Sequence, residues 1–250
     1  MKGWLVILFV ACIHLATAQD ANTLVHEADV LEKQFKEDQA LDKYKQAATI
    51  NASSIPVLVK CVELSCIIGS RQTDAAVKKT YFDKAKAYAD QLLALNINSA
   101  DANYAQALTF AKLTEVEQEK KKVVEDARNI KLFAEIAVGL DPSHAKANYV
   151  LGKWHYEMLN LNWFKKAAMK TFYGGLPPAD IDTAISYMEK CKTLAPYFVP
   201  NYLDLAKAYQ YKNKPSQAIE VLNKLVKLPN RTSDDANIKA EGKKILDSLL

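Results

Sequence analysis

Three groups of side chains in this sequence are of the types that do acid–base or metal chemistry. His26 is followed by Glu27, as at the start of the zinc-binding H-E-x-x-H motif, but position 30 is Val, so the second ligand is missing. His155 has no partner motif, and its position on a predicted helix suits a packing ring. The carboxylate pair in Asp180–Asp182 lies at a predicted helix start, where the helix dipole favours negative charge. Each of these features is explained without catalysis.

Other motifs for cofactor, metal or covalent chemistry are missing from the sequence. It has no Gly-rich phosphate-binding loop, no Gly-x-Ser-x-Gly elbow, and no C-x-x-C or H-x-x-x-H pair. Cys61, Cys66 and Cys191 follow the N-terminal segment, and an odd number of cysteines argues against a disulfide framework. We expect them to be buried thiols that pack as small apolar side chains. The sequence therefore predicts a non-enzymatic protein with no catalytic residue, no bound metal and no cofactor.

The N-terminal residues 1–18 are predicted to be a signal peptide outside the fold. Lys2 precedes the apolar run Trp4–Val10, and Ala16–Ala18 reads Ala-Thr-Ala, an A-x-A cleavage signal that would leave Gln19 first. The alternative is an uncleaved anchor, although the run is short for a span of about 20 residues. This start is typical of exported proteins of Gram-negative bacteria and predicts a periplasmic or secreted chain. No later segment reads as a membrane span.

The composition predicts an all-α fold for residues 19–250. Only 7 Gly occur among 250 residues, and no region alternates between polar and apolar residues as strands do. All 8 Pro fall at expected helix boundaries, because proline is tolerated in a first helical turn and costly inside a helix. The predicted helices are 21–36, 39–50, 55–69, 73–95, 100–113, 115–140, 143–158, 179–194, 198–212, 215–228 and 234–249. The formal net charge of +4 is too small to imply nucleic-acid binding.

Small residues recur at one position on the second helix of successive predicted hairpins. Ala184 and Ala218 are 34 residues apart, which is the period of tetratricopeptide repeats. Three upstream residues fit the same position with wider spacing: Ala40, Ala85 and Ile130. On a first helix, Gly152 is predicted to mark a close contact between helices. The sequence thus predicts a superhelical stack of antiparallel helix hairpins, with divergent repeats at 21–142, clearer repeats at 143–229 and a capping helix within 233–250.

Five ordered segments between Leu151 and Leu250 carry a family resemblance. They are Leu151–Glu157, Trp163–Lys166, Phe172–Pro178, the repeat pattern Ala184–Pro196, and Ser233–Asp235 before the last helix. Together they resemble the regulator of microtubule dynamics protein family, which is built from tetratricopeptide-like repeats. The resemblance implies this fold and a role in contacting other macromolecules. We do not carry over the microtubule association in the family's name, because the predicted export signal would separate the chain from tubulin.

The predicted function is binding of a protein or an extended peptide, of unknown identity, on a concave face lined by the first helices. The side chains predicted to make this contact are Asn148, Lys153, Tyr156, Trp163, Asn201, Asp204 and Lys207. The aromatic insert 159–178 has two open interpretations. Its rings either form a lip over the concave face, since aromatic anchors often dominate binding, or pack on the hairpin as core. The first interpretation also allows an alternative function, a glycan or small-molecule binding protein.

Overall fold

The computed structural model describes residues 20–161 and 174–250, and these residues form eleven α-helices and no strand. The first, α1, covers residues 20–33. The others are α2 Glu37–Ile50, α3 Ile55–Arg71, α4 Ala75–Leu95, α5 Ala100–Leu113, α6 Lys120–Leu140, α7 Ala145–Asn160, α8 Ile181–Leu194, α9 Val199–Tyr211, α10 Pro215–Leu225 and α11 Asp235–Leu249. The all-α prediction is confirmed. The predicted signal peptide and Trp163 lie outside the described residues.

Local side-chain contacts set the helix boundaries. Asp180 caps α8, because its carboxylate accepts a hydrogen bond of 2.7 Å from the backbone N–H of Thr183. Helix α6 begins at Lys120 rather than at 115 as predicted. The carboxylate of Glu117 accepts hydrogen bonds from the backbone N–H groups of Gln118 and Glu119, which holds this stretch in a turn. Such competing local bonds are not visible in apolar periodicity.

Among the described residues, successive helices pair as five hairpins: α3 with α4, α5 with α6, α7 with α8, α9 with α10, and α1 with α2, whose side chains share an apolar cluster and an ion pair between Glu27 and Lys43. The final helix α11 packs on α9 and α10 and covers the end of the stack. The small residues predicted on the second helices are buried, including Ala40, Ala85, Ala184 and Ala218 with no exposed surface. The superhelical stack of hairpins is therefore confirmed.

Gly152 allows the backbones of α7 and α8 to approach closely. A Cβ atom at this position would lie 2.9 Å from the carbonyl oxygen of Ala184 and 2.9 Å from Cγ of Met188. Real Cβ atoms do not come this close to backbone atoms, so only glycine fits. This contact fixes the angle of the hairpin that carries the clearest repeat signature.

Three apolar clusters follow each other along the stack instead of one central core. The first lies in α1–α5, the second in the region of α5–α8, and the third in α7–α11. Each hairpin thus buries its apolar face mainly against its neighbours, as expected for a solenoid. Within 20–161 and 174–250, no helix has both the length and the apolar character needed to cross a bilayer.

Candidate functional site

The first helices α3, α5, α7 and α9 curve around a cavity of about 270 Å³. We call this space the inner cavity. Apolar side chains, among them Ile67, Leu108 and Val150, form much of its wall. The start of α11 and the turn before it also line this cavity, although they are far from α3 in sequence. The curvature of the stack therefore brings early and late parts of the chain to the wall of one cavity.

Glu63 on α3 is held by donors from two later repeats. Tyr104 on α5 donates its hydroxyl to Glu63 over 2.9 Å, and the ammonium group of Lys146 on α7 donates over 2.6 Å. Burial raises the pKa of Glu63, but Lys146, the charge of Lys60 and the Tyr104 hydroxyl together outweigh burial and lower it below its ordinary value. The carboxylate is therefore charged at neutral pH, and the network ties together three successive first helices.

Asp204 on α9 forms a second network of the same kind. Tyr149 on α7 donates its hydroxyl to Asp204 over 2.7 Å, and Lys153 on the same helix donates over 2.8 Å. The pKa of Tyr149 is well above its ordinary value, because burial and the charge of Asp204 both disfavour ionisation. Its hydroxyl is therefore a donor at neutral pH. Lys153 and Asp204, two of the predicted contact residues, are thus placed together at the inner face.

Asn148 and Asn201, also predicted as contact residues, are fully buried. The amide of Asn148 donates to the carbonyl oxygens of Pro142 and His144 over 3.1 and 2.9 Å. The amide of Asn201 donates to the carbonyl of Met188 over 2.9 Å. The bonds of Asn148 hold the turn before α7, and the bond of Asn201 ties α9 to α8. Both residues therefore position the inner face.

The two remaining predicted residues in the described region have neighbours from different helices. Lys207 on α9 forms an ion pair of 2.7 Å with Glu241 on the capping helix. The half-buried ring of Tyr156 stands edge-on to Tyr211, with 6.2 Å between ring centroids. Both lie near the C-terminal end of the stack, whereas the Glu63 network lies near its middle. Tyr156 also interacts electrostatically with Lys207, Asp204 and Lys153, so the structure brings these four predicted residues together, apart from the Glu63 network.

Sequence reasoning missed Glu63, Tyr104 and Lys146. Glu63 and Tyr104 lie in the divergent repeats, where the widened spacing hid the equivalence with the clearer repeat that contains Lys146. One signal was present: Tyr104 and Tyr149 are 45 residues apart, as are Ala85 and Ile130. Two tyrosines at the same position of consecutive first helices would have indicated where the inner polar groups lie.

A second cavity of about 450 Å³ adjoins the inner cavity. The two share Leu108, Lys112, Tyr149 and Val150 as lining residues, so they lie side by side along α5 and α7. Trp154 lines the second cavity, but only 2% of its surface is exposed, and its indole N–H donates to the carbonyl of Ala127 over 2.7 Å. This ring is therefore core that forms the floor of the cavity.

His155 is buried between rings and joins the end of the insert to α7. Its Nδ1 atom accepts a hydrogen bond of 3.2 Å from the backbone N–H of Asp180, and its ring packs against Trp154 and Tyr187. Burial lowers the pKa of His155, with a smaller contribution from Lys131. The neutral imidazole therefore acts as a hydrogen-bond acceptor that anchors the start of α8.

Metal-binding side chains are dispersed over the part of the chain that the structure describes. No three His, Cys, Asp or Glu side chains there are placed to hold a metal ion. Cys61, Cys66 and Cys191 are free and buried. Burial raises the pKa of the Cys66 thiol to about 12, so it is protonated at neutral pH.

The architecture defines the class of protein as a tetratricopeptide-like helical solenoid. A solved thermophilic TPR protein of Thermus thermophilus is similar over 90% of this chain and 98% of its own, with a TM-score of 0.66 at 12% identity. At that identity the likeness concerns the fold alone. It agrees with the five hairpins and the capping helix described above.

The chain belongs to the regulator of microtubule dynamics protein 1-3 family, whose profile matches residues 24–250. Regulator of microtubule dynamics protein 1 of Caenorhabditis elegans is 26% identical over 186 residues, covering 74% of this chain and 80% of the worm protein. Human regulator of microtubule dynamics protein 2 is 29% identical over 181 residues, covering 71% of this chain but 43% of the human protein. The family resemblance expected from the sequence is confirmed, and the match extends into the divergent N-terminal repeats.

Proposed function

We propose that the protein is an interaction scaffold that binds a segment of a partner protein on its inner face. The observation that carries this proposal is the pair of adjoining cavities along α5 and α7, which offer apolar side chains beside charged groups. Apolar pockets with a few polar groups are the usual features of peptide and ligand sites. Lys112 and Tyr149 lie at the junction of the two cavities and would contact a segment that spans both.

The charges around the cavities favour a segment with apolar side chains over one dominated by charge. Lys146 is paired with Glu63 and Lys153 with Asp204, so these cations are already neutralised by neighbouring carboxylates. A strongly acidic or basic segment would have to displace these pairs. A partner that inserts apolar side chains and hydrogen-bonds to the rim leaves both networks intact.

Peptide selection tests this proposal and does not require the natural partner to be identified first. Peptides selected from a random display library on the full chain would be measured by fluorescence anisotropy with the wild type and two variants. Tyr197→Ala removes an exposed ring at the wall of the inner cavity. Leu132→Ala removes a comparably exposed apolar side chain from α6, outside both cavities. We expect Tyr197→Ala to weaken binding by about tenfold or more, as for an aromatic anchor, and Leu132→Ala to leave it unchanged.

The opposite ranking of the two variants would contradict the proposal, because it would place the peptide on the outer surface. Equal binding by both variants and the wild type would also contradict it. Circular dichroism would establish that both variants keep the helical content of the wild type. Because both positions are exposed, we expect each substitution to change the stability by less than about 0.5 kcal/mol.

A small apolar molecule is the second candidate, and the apolar lining of the inner cavity favours it. Its volume of about 270 Å³ is near the lower end of the volumes typical of ligand pockets. A thermal-shift screen of small apolar compounds and sugars would test it. Val150 lines both cavities, so Val150→Trp would occupy part of their space. Stabilisation of the protein by a compound that is lost in this variant would support this candidate. Stabilisation that persists would place the compound elsewhere.

We also propose that the chain is exported, on the strength of the apolar run and the Ala-Thr-Ala signal in residues 1–18. N-terminal sequencing of the protein from its native cell would test this. A mature chain that begins at Gln19 would support export, and a chain that retains Lys2 would contradict cleavage.

A further inference from the structure

The two ends of the superhelix meet in a small polar contact. Arg71, the last residue of α3, donates from Nε and Nη2 to the two carboxylate oxygens of Asp234 over 2.8 and 3.0 Å. The residues are 163 positions apart in sequence. The same guanidinium approaches Glu37 at the start of α2, with 3.3 Å between Nη2 and Oε1. One arginine therefore links the first two hairpins to the turn before the capping helix.

Glu37 completes the contact. Its carboxylate accepts the backbone N–H of Ser233 over 2.9 Å and the Ser233 hydroxyl over 2.9 and 2.8 Å. Only 4% of the Glu37 surface is exposed. Burial raises the pKa of Glu37, but the hydrogen bonds from Ser233 and Arg71 lower it by more. The buried carboxylate is thus charged and depends on groups from the far end of the chain.

The C-terminal side of this contact is a rigid turn. The carboxylate of Asp235 accepts the backbone N–H groups of Arg231 and Thr232 over 2.6 and 3.0 Å, and the Thr232 hydroxyl over 2.8 Å. The Arg231 guanidinium lies 4.9 Å from the centroid of the Tyr197 ring. These bonds hold Asp234 in position, so the turn can separate from α3 without unfolding itself.

We infer that Glu37, Arg71, Ser233 and Asp234 form a clasp that closes the superhelix and gates the inner cavity. Asp234 on one side of the clasp and Ser70 on the other both line this cavity. Separation of the clasp would therefore remove part of the wall and widen the opening of the cavity to solvent. The clasp regulates access to the site of the proposed function and rests on that proposal for its biological role.

The forces in the clasp are suited to reversible opening. Among the described residues, helix α11 packs on α9 and α10, and no packing of comparable extent joins it to α2, α3 or α4. Polar bonds rather than shared apolar packing therefore join the two ends at the clasp. Arg71 and Asp234 are partly exposed, so salt and competing water weaken their attraction. Each half keeps its own apolar cluster when the clasp separates.

The chain contains a native reporter for the test. Cys66 lines the inner cavity and is 1% exposed, whereas Cys61 and Cys191 are equally buried and do not line it. The full-length protein would be treated with iodoacetamide under native conditions, and the modification rates of Cys61, Cys66 and Cys191 measured by peptide mass spectrometry. Opening of the clasp exposes Cys66 selectively, whereas global unfolding exposes all three. The assay needs no partner, so its result is independent of whether peptides bind.

In the variant Arg71→Gln we expect the rate at Cys66 to rise about tenfold, equivalent to about 1.4 kcal/mol, with the other two rates unchanged. The control Lys79→Gln removes a surface ion pair with Asp83 on α4 and should change none of the rates. An unchanged rate at Cys66 in Arg71→Gln would overturn the proposal.

A salt series on the wild type covers the case in which Arg71→Gln does not fold. Raising NaCl to about 0.5 M screens exposed charges beyond a few ångströms and should accelerate modification of Cys66 alone. If the three cysteines of the wild type respond to salt in parallel, or none responds, the clasp is not a gate.

Discussion

The contact at Gly152 allows a stability prediction in which the same substitution has opposite effects at two sites. In Gly152→Ala the new methyl group would lie 2.9 Å from the carbonyl oxygen of Ala184, 2.9 Å from Cγ of Met188 and 3.2 Å from its backbone nitrogen. Two of these neighbours are backbone atoms of α8, and Met188 is fully buried. The methyl group cannot be accommodated by a side-chain rotation alone, so the two helices must separate.

Gly139 on α6 provides the matched control, because a Cβ atom there would have no neighbour within 4 Å. Alanine is favoured over glycine in a helix by about 1 kcal/mol, a gain that both substitutions share in part. Overpacking at a tight contact costs about 1–3 kcal/mol. We therefore expect Gly139→Ala to stabilise the protein by about 0.5–1 kcal/mol and Gly152→Ala to be less stable than Gly139→Ala by about 1–3 kcal/mol.

Urea unfolding followed by far-UV circular dichroism would measure both free energies of unfolding. A chain of this size shifts its melting temperature by about 2–4 °C per kcal/mol, so a thermal melt would resolve the difference as well. Equal stabilisation in the two variants would refute the reasoning, since it would mean that α7 and α8 are not in close contact at Gly152. A loss of helical content in Gly139→Ala would refute the assignment of that residue to an open surface.

Two further predictions concern single side chains. Because burial lowers the pKa of His155, the unfolded chain binds a proton at this imidazole more tightly than the folded chain, so the free energy of unfolding should fall as the pH drops below about 6.5. In urea titrations, the loss of stability between pH 7.5 and 5.5 should be smaller in His155→Gln than in the wild type. An equal loss in the two proteins would contradict this prediction. Asn201→Ala leaves the carbonyl of Met188 without its amide donor and should cost about 1–3 kcal/mol. Lys207→Ala breaks a partly exposed ion pair with Glu241 and should lower the free energy of unfolding by less than about 1 kcal/mol in the same assay. A larger loss in Lys207→Ala than in Asn201→Ala would show that Asn201 is not structural.

Much of the architecture was predictable because its determinants are local. The proline positions and the small residues at Ala184 and Ala218 predicted hairpins, and the structure has them. The error at the start of α6 has a local cause as well, since the Glu117 carboxylate competes for backbone N–H groups. Apolar periodicity does not record such bonds.

The candidate site was predictable only in part. Lys153 and Asp204 were selected as polar positions on first helices, and the structure joins them at 2.8 Å. Asn148 and Asn201 were selected by the same rule but are buried. Polarity alone does not distinguish a side chain that faces the inner cavity from one whose amide satisfies buried carbonyl groups. That distinction depends on the loop carbonyls around each residue, whose positions follow from the packing of neighbouring hairpins.

The sequence by itself determined the class of fold, the family and the order of the hairpins, because helix periodicity, proline placement and close-contact residues act within one repeat or between adjacent ones. Only the tertiary structure decided that Glu63 meets Lys146 and that Arg71 meets Asp234. These contacts depend on the small rotation between each hairpin and the next, summed over the whole stack. A few degrees of difference in each step would separate residues 163 positions apart, so no local pattern encodes the inner cavity.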